Sequence, residues 1–386
     1  MKFLTIAVVI ITAATVASAQ WLKQTVNTTA SFRGLSVVSE KVVWASGTGG
    51  TVIRTIDGGK TWNVITVPGA DKLDFRDIEA FDANTAYILS IGNGDASRIY
   101  KTTDGGKTWK LQFQNADAKA FYDAIACWDR NNCLAMSDPV DGHYVLISTA
   151  NGGSKWERIV SNQLPAAKDG EAAFAASGTC LIALTPTTAF LVSGGTDARV
   201  FRSYDKGKTW TASDTGIVKG TAGSGIFSIA MYGSTLGVIV GGNYEKPGES
   251  SNNLAFTTNG GGRWNLATGL SGYRSGVAYL DQSTIVAVGP NGSDISRDGG
   301  KTWVVLGKES LNAVGPSRRT PMLVDGPDGD AQVSYDGGLT STPLNFLGAR
   351  HEAPDPFAWA VGPNGGVYKL KPPPRPAGHL RPEAAL

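Results

Sequence analysis

Arg33, Arg76 and Arg274 each follow an aromatic residue at the head of a short β-rich run, in Phe-Arg-Gly, Phe-Arg-Asp and Tyr-Arg-Ser. A guanidinium offers a planar fork of N–H donors that matches a carboxylate or a phosphate. Three of them brought to one mouth would clamp an anion. The plainer alternative is that they pair with Asp77, Asp123 or Glu171 and line a wet pore. Three polar phrases also break the surrounding pattern: Ser137-Asp138-Pro-Val-Asp141-Gly-His143, Lys168-Asp169-Gly-Glu171 and Gly242-Asn243-Tyr244-Glu245-Lys246-Pro247. Loops carry binding residues more often than the elements they join. Asp138, Glu171 and Tyr244 are therefore candidate ligand-binding residues, weighed against ordinary solvated loops.

Catalysis is a weaker reading of the same residues. Glycoside hydrolysis needs two carboxylates, or a Tyr nucleophile backed by a carboxylate and a separate acid. Asp138, or Tyr244 with Glu245, could fill those parts. Adjacent strand residues point to opposite faces, however, which works against a Tyr244–Glu245 dyad. A metal centre is not expected. The chain has 3 Cys and 3 His, scattered and without ligand spacing. Asp325-Gly-Pro-Asp328-Gly-Asp330 puts three carboxylates on one loop but lacks the order of a calcium hand, so it reads as a turn. No phrase asks for a cofactor. Net charge is +2 with no Lys/Arg run, which excludes a nucleic-acid partner.

The scaffold that must position these residues is a repeat. Thr55-Ile-Asp57-Gly-Gly-Lys-Thr-Trp62 recurs as Thr102 to Trp109, Ser203 to Trp210 and Ser296 to Trp303. Thr149 to Trp156 and Thr257 to Trp264 are copies with Asn in place of Asp, and Ser334-Tyr-Asp336-Gly-Gly is a degraded one. The key side chains are Asp57, Asp104, Asn151, Asp205, Asn259, Asp298 and Asp336. Each can accept backbone N–H groups two or more residues on and close a turn, while the following Gly residues supply positive φ. The terminal Trp packs between sheets. Copies lie roughly 40 to 55 residues apart, the length of four short strands with loops.

Short β-rich runs separated by Gly, Ser and Asn precede each copy, and one more strand follows the Trp. No long window has helical period. Four-stranded units of this kind bury their faces only by stacking around an axis, which predicts an all-β propeller. Its closure is also legible. Gly366-Val-Tyr-Lys-Leu reads as a third strand with no fourth after it. Trp21-Leu-Lys-Gln-Thr-Val matches the strand Trp62-Asn-Val-Ile-Thr-Val, so the N-terminal strand should complete the last blade and leave no open edge. Units begin near Phe32, Phe75, Phe121, Ala173, Phe227, Tyr273, Leu311 and Leu347. Seven blades are favoured, with the short unit Leu311–Pro343 read as an insertion within the seventh, and eight remain open.

Met1-Lys2, the apolar run Phe3–Val16 and Ala17-Ser18-Ala19 make residues 1–19 a cleavable signal peptide. The expected products are a single propeller domain over 20–371 and a Pro-rich, disordered tail over 372–386. The protein is expected to be secreted or periplasmic, monomeric and not membrane-spanning. Export permits disulfides. Cys127 and Cys133 flank a short turn and could pair, or all three cysteines could be small buried residues, with Cys180 the odd one.

The Asp-box (BNR) turns, with Trp44-Ala-Ser-Gly-Thr-Gly-Gly-Thr-Val-Ile-Arg-Thr and Trp359-Ala-Val-Gly-Pro-Asn-Gly-Gly-Val-Tyr-Lys, resemble the photosystem II stability and assembly factor family. The likeness runs over nearly the whole mature chain. It implies a non-catalytic scaffold that docks a protein partner or an anionic ligand, with an arginine patch around the channel. More distantly the boxes are similar to those of sialidase-type propellers, which makes a secreted glycoside hydrolase the alternative. The Arg followed by Ile/Leu-Pro of sialidases is absent: here the phrase is Phe32-Arg33-Gly34-Leu35.

Overall fold

A computed structural model describes residues 20–160, 163–184, 186–316, 322–325, 331–334, 342–343 and 357–371. The expected signal peptide over 1–19, the expected tail over 372–386, the Asp336 box, the Asp328 and Asp330 carboxylates and the unit start at Leu347 lie outside them.

Seven four-stranded antiparallel blades form the body, and the sheet of blade five is extended by the short strands Glu171–Ala172 and Gly194–Gly195. Blade one is Phe32–Val37, Val43–Gly47, Thr51–Thr55 and Asn63–Thr66, and blade two is Phe75–Ala80, Ala86–Ser90, Arg98–Thr102 and Lys110–Gln114. Blade three is Tyr122–Cys127, Cys133–Val140, His143–Thr149 and Glu157–Arg158, and blade four is Leu181–Leu184, Thr188–Val192, Arg199–Ser203 and Thr211–Asp214. Blade five is Ser224–Tyr232, Leu236–Asn243, Leu254–Thr257 and Asn265–Ala267, and blade six is Gly276–Tyr279, Ile285–Gly289, Gly292–Ser296 and Val304–Gly307. Blade seven joins Ala313–Pro316, Ala358–Val361 and Val367–Lys371 to the N-terminal Gln20–Lys23. First strands of successive blades touch one another all the way round, and blade one touches blade seven, so the ring is closed about a central channel.

The N-terminal strand completes the last blade as expected, with Trp21 opposite Leu370 and Lys23 opposite Tyr368. Trp21 is buried, and its indole N–H donates to Ser293 Oγ of blade six at 2.9 Å. Blade seven therefore takes a Trp from the far end of the chain. The short unit after Leu311 is not an eighth blade. Met322–Asp325, Ala331–Ser334 and Thr342–Pro343 form their own small sheet between the first and second strands of blade seven.

Six described boxes share one hydrogen-bond pattern. In the first, Thr55 Oγ1 donates to Asp57 Oδ1 at 2.8 Å and accepts the Gly59 N–H at 2.9 Å. The Thr61 N–H and hydroxyl then donate to Asp57 Oδ1 and Oδ2 at 2.9 and 2.6 Å. Asn151 and Asn259 keep the Oδ1 half of this pattern, accepting the Lys155 and Arg263 N–H groups at 3.0 Å each. The box also locks blades together. Gly59 has φ +89°, and a Cβ there would come within 2.4 Å of the Trp359 ring. Trp62 meets the same Trp359 edge-on at 5.5 Å, and Trp109 meets Trp44 at 6.5 Å. Edge-to-face pairs of this kind add to the area they bury.

The boxes contribute to the stability that acid removes. Hydrogen bonds from the Thr108 hydroxyl and N–H hold the Asp104 carboxyl down at about 2, and those of Thr302 do the same for Asp298, again about 2. Both carboxyls titrate near 3.9 in the unfolded chain. A depressed folded pKa stabilises above the unfolded value, and that stability is lost as pH falls toward the folded one. The melting temperature is expected to decline from about pH 4 to pH 2. In an Asp104→Asn/Asp298→Asn variant that acid decline should be shallower, since Asn serves at the same place in two natural boxes. A thermal melt series across that range tests it, and an unchanged slope overturns it.

Cys127 and Cys133, directly opposite each other on the first two strands of blade three, form a disulfide, and Cys180 is a buried free thiol.

Candidate functional site at one end of the channel

Bulges at the heads of the first strands build the site. In blade one the pairing jumps from Phe32–Gly47 to Gly34–Ser46, so Arg33 has no partner across the strand. The same jump leaves Arg76 unpaired in blade two, Asp123 in blade three and Phe227 in blade five. A bulge inserts one residue and re-aims its side chain. In blades six and seven Ser275 and Asn312 hold the equivalent place. Each N–H donates to the carbonyl of the residue facing its successor, Val288 at 2.8 Å and Val361 at 2.7 Å. All six residues line one cavity of about 470 Å³.

Blade four contributes differently. Before its first strand, residues 173–179 run across the channel and plug it. Arg33 Nη1 donates to the Ala176 carbonyl at 3.0 Å and Arg76 Nη1 to the Ala175 carbonyl at 3.3 Å. The Ala173 N–H donates to Asp138 Oδ1 at 2.7 Å, the Ser177 hydroxyl to the Ser275 carbonyl at 2.8 Å. Thr179 Oγ1 meets Ser228 Oγ at 2.6 Å. The plug thus takes bonds from blades one, two, three, five and six. Gly178 is required in it: its φ is +76°, and a Cβ would stand 2.2 Å from Asp77 Oδ1. Residues 173–176 floor the cavity described here. Residues 177–179 border a second, mainly apolar cavity of about 310 Å³ on the other side, with Ile182, Met231, Tyr279 and Val314 in its wall.

Charge and aromatic surface divide the first cavity. Arg33 is half-buried and makes no ion pair among the described residues. Burial and the neighbouring Arg76 guanidinium both push its pKa down. Arg76 donates Nε to Asp74 Oδ2 at 2.7 Å. On the blade-three side, burial pushes Asp138 up to about 6. Asp123 is raised well above the ordinary carboxyl range by burial and by the Asp138 charge. Phe174 of the plug stacks on Phe227 at 3.8 Å with planes 5° apart. Tyr244 packs edge-on against both, at 6.4 and 6.2 Å, and Tyr273 packs edge-on against Phe227 at 4.7 Å. Tyr244 is 49% exposed and stands at the mouth.

Four of the six residues proposed from sequence, Arg33, Arg76, Asp138 and Tyr244, therefore line this cavity. The other two do not reach it. Arg274 is fully buried. Its Nε donates to Asp294 Oδ2 at 2.8 Å, Nη1 to the Tyr273 carbonyl and Asn291 Oδ1 at 2.7 and 2.8 Å, and Nη2 to Ser271 Oγ at 2.6 Å. The cause is register. The Arg274 N–H donates to the Gly241 carbonyl of the preceding blade at 3.0 Å, the bond that Phe32 makes to Gly362 at 3.1 Å. Arg274 is thus the counterpart of Phe32, and Ser275 of Arg33. A one-residue slip along a strand exchanges its faces. Glu171 is also buried, accepting both Nε (2.9 Å) and Nη2 of Arg199 and the Ser193 hydroxyl at 2.5 Å. It ties the Lys168–Glu171 loop to blade four.

Asp123, Phe174, Phe227, Tyr273, Ser275 and Asn312 were not proposed as site residues from sequence. Aligning the units on the small residue in the second half of each second strand (Gly47, Ser90, Ser137, Gly241 and Gly289) points to the bulge positions among them. Nothing in the repeat signals Phe174, because the plug is unique to one blade. Of the Tyr244–Glu245 pair, Tyr244 lines the cavity and Glu245 is not part of its wall. No group of three or more His, Cys, Asp or Glu among the described residues is placed to hold a metal ion.

A family model described as the photosystem II assembly factor YCF48 matches residues 12–115, the stretch that carries blades one and two. This chain is an Asp-box propeller resembling that assembly-factor family. The solved structure of YCF48 bound to D1 peptide superposes with a TM-score of 0.57 at 16% identity, covering 92% of this chain and 96% of that one. YCF48 from Cyanidioschyzon merolae gives 0.54 at 16% identity, covering 91% and 98%. U3-55K gives 0.55 at 12% identity, covering 92% and 98%. At these identities the likeness is one of fold, which hosts unrelated functions. No curated protein matches the sequence. Among the described residues no helix is long and apolar enough to cross a membrane.

Proposed function

We propose that this chain is an exported, non-catalytic scaffold that takes an acidic segment of a protein partner into the arginine end of its channel. The carrying observation is Arg33, a half-buried cation without a carboxylate partner among the described residues, set beside a second guanidinium over the plug. Burying a charge without a counter-ion is costly, so such a site favours a ligand that supplies one. The aromatic wall of Phe174, Phe227, Tyr244 and Tyr273 offers apolar surface to flanking side chains, as interface cores do. The fold likeness to a propeller solved with a bound peptide supports the reading. Export is supported by the signal-like pattern of residues 1–19 and by the Cys127–Cys133 disulfide.

Fluorescence anisotropy on arrayed acidic and neutral peptides tests the proposal. Replacing Arg33 and Arg76 together by Met should weaken acidic peptides by about 30-fold or more and leave neutral ones unchanged, since charge-assisted guanidinium pairs are the strong ones. The melting temperature of the variant reports on the fold. Full binding by a folded double variant would remove this face from consideration.

A further inference from the structure

The acidic side of the cavity does work that an anion clamp alone does not explain. Asp123 is 1% exposed, lines the cavity, and its Oδ2 has no hydrogen-bond partner among the described residues. Asp138 lines the cavity beside it, and its carboxylate makes a single bond, from the Ala173 N–H. Two arginines are present in the same cavity, yet neither forms an ion pair with these acids. Arg76 is paired with Asp74, and both arginines hold carbonyls of the plug. The Arg76 charge acts on Asp123 without forming an ion pair with it, and burial still leaves the carboxyl well above its ordinary range.

We infer that the cavity is a two-ended receptor, in which Arg33 and Arg76 take a carboxylate and Asp123 with Asp138 take a protonated amine or guanidinium of the same ligand. The inference rests on the arginine reading above and adds the class of ligand: a segment that carries an acidic and a basic group, such as a Glu or Asp near a Lys or Arg. An unpartnered buried carboxylate oxygen pays a desolvation cost that a bound N–H donor relieves. The raised pKa values of both acids record that no cation of the protein compensates them fully. A ligand bearing a carboxylate alone would leave that end unsatisfied. One bearing an amine alone would leave Arg33 so.

Matched pairs of small probes separate the two ends: β-alanine, γ-aminobutyrate and ε-aminocaproate against propionate, butyrate and caproate. Calorimetry or ligand-observed NMR on the full mature chain gives their affinities. At the chain length that spans the cavity, the amino acid should bind at least about ten-fold tighter than the carboxylate, a gain typical of one charge-assisted pair. Asp138→Asn and Asp123→Asn, made separately, should each reduce that ratio. Equal affinities within all three pairs in the natural protein would overturn the two-ended receptor. So would a ratio undiminished in both Asn variants. If instead carboxylate binding is indifferent to loss of Arg33 and Arg76, the arginine reading falls, and the amine end is judged on its own by the Asn variants.

Discussion

A chain that begins after Lys23 is expected to lose its cooperative melt and to associate, although every Asp box and the whole cavity remain in its sequence. The missing Gln20–Lys23 is the fourth strand of blade seven. Without it Val367–Lys371 presents an open edge, a template for pairing with other chains. The cavity left by Trp21 alone is worth about 3–5 kcal/mol, by analogy with buried Trp→Ala changes. That is a large part of the stability of a typical domain, commonly about 5–15 kcal/mol. Trp21 packs with Val286, Val288 and Ile295 of blade six and Leu370 of blade seven, so its loss loosens two blades. Differential scanning calorimetry and light scattering should show a broadened, lowered transition and higher-order species. A synthetic peptide covering residues 20–27, added in excess, should restore the sharp melt by filling the vacant edge. A truncated chain that melts as the intact one does would mean that the ring does not depend on its N-terminal latch.

How much of this was legible in the sequence depends on how locally each feature is encoded. The box corners are written in eight consecutive residues, and their hydrogen bonds close within five, so Asp57 and its counterparts could be assigned from text alone. The closing strand was legible for a similar reason, since Trp21-Leu-Lys-Gln-Thr-Val resembles the strand after a box even at the wrong end of the chain. The insertion in blade seven is indistinguishable from a short blade in the sequence, because strands of both kinds look alike one at a time. The site was half legible. Phe-Arg-Gly and Tyr-Arg-Ser look equivalent, yet the bulge that aims Arg33 inward depends on which residue of the second strand faces which, a pairing across the hairpin. Glu171 read as a free rim acid because its partner Arg199 lies 28 residues away. The plug is a single departure from a repeated plan, so the repeat itself carried no hint of it.

The slip that removes Arg274 from the cavity makes it a test of structure rather than of binding. Its guanidinium and the Asp294 carboxylate are both essentially unexposed, joined at 2.7 Å. Removing one member of such a pair leaves a buried, uncompensated charge, at a cost of about 3–5 kcal/mol. Arg274→Met alone should therefore lower stability sharply, and Asp294→Leu alone should do likewise. Replacing both by apolar residues of similar volume removes the stranded charge, and such replacements are often neutral or stabilising. The Arg274→Met/Asp294→Leu double variant should thus be more stable than either single one, with a coupling energy well above the about 0.5 kcal/mol expected of independent sites. Denaturant melts of the four proteins give that coupling directly. In each variant that folds, peptide capture should persist, since Ser275 and not Arg274 faces the ligand. Loss of capture in a folded double variant, or simple additivity of the two single changes, would place Arg274 back at the mouth of the channel and undo the register on which the whole site is drawn.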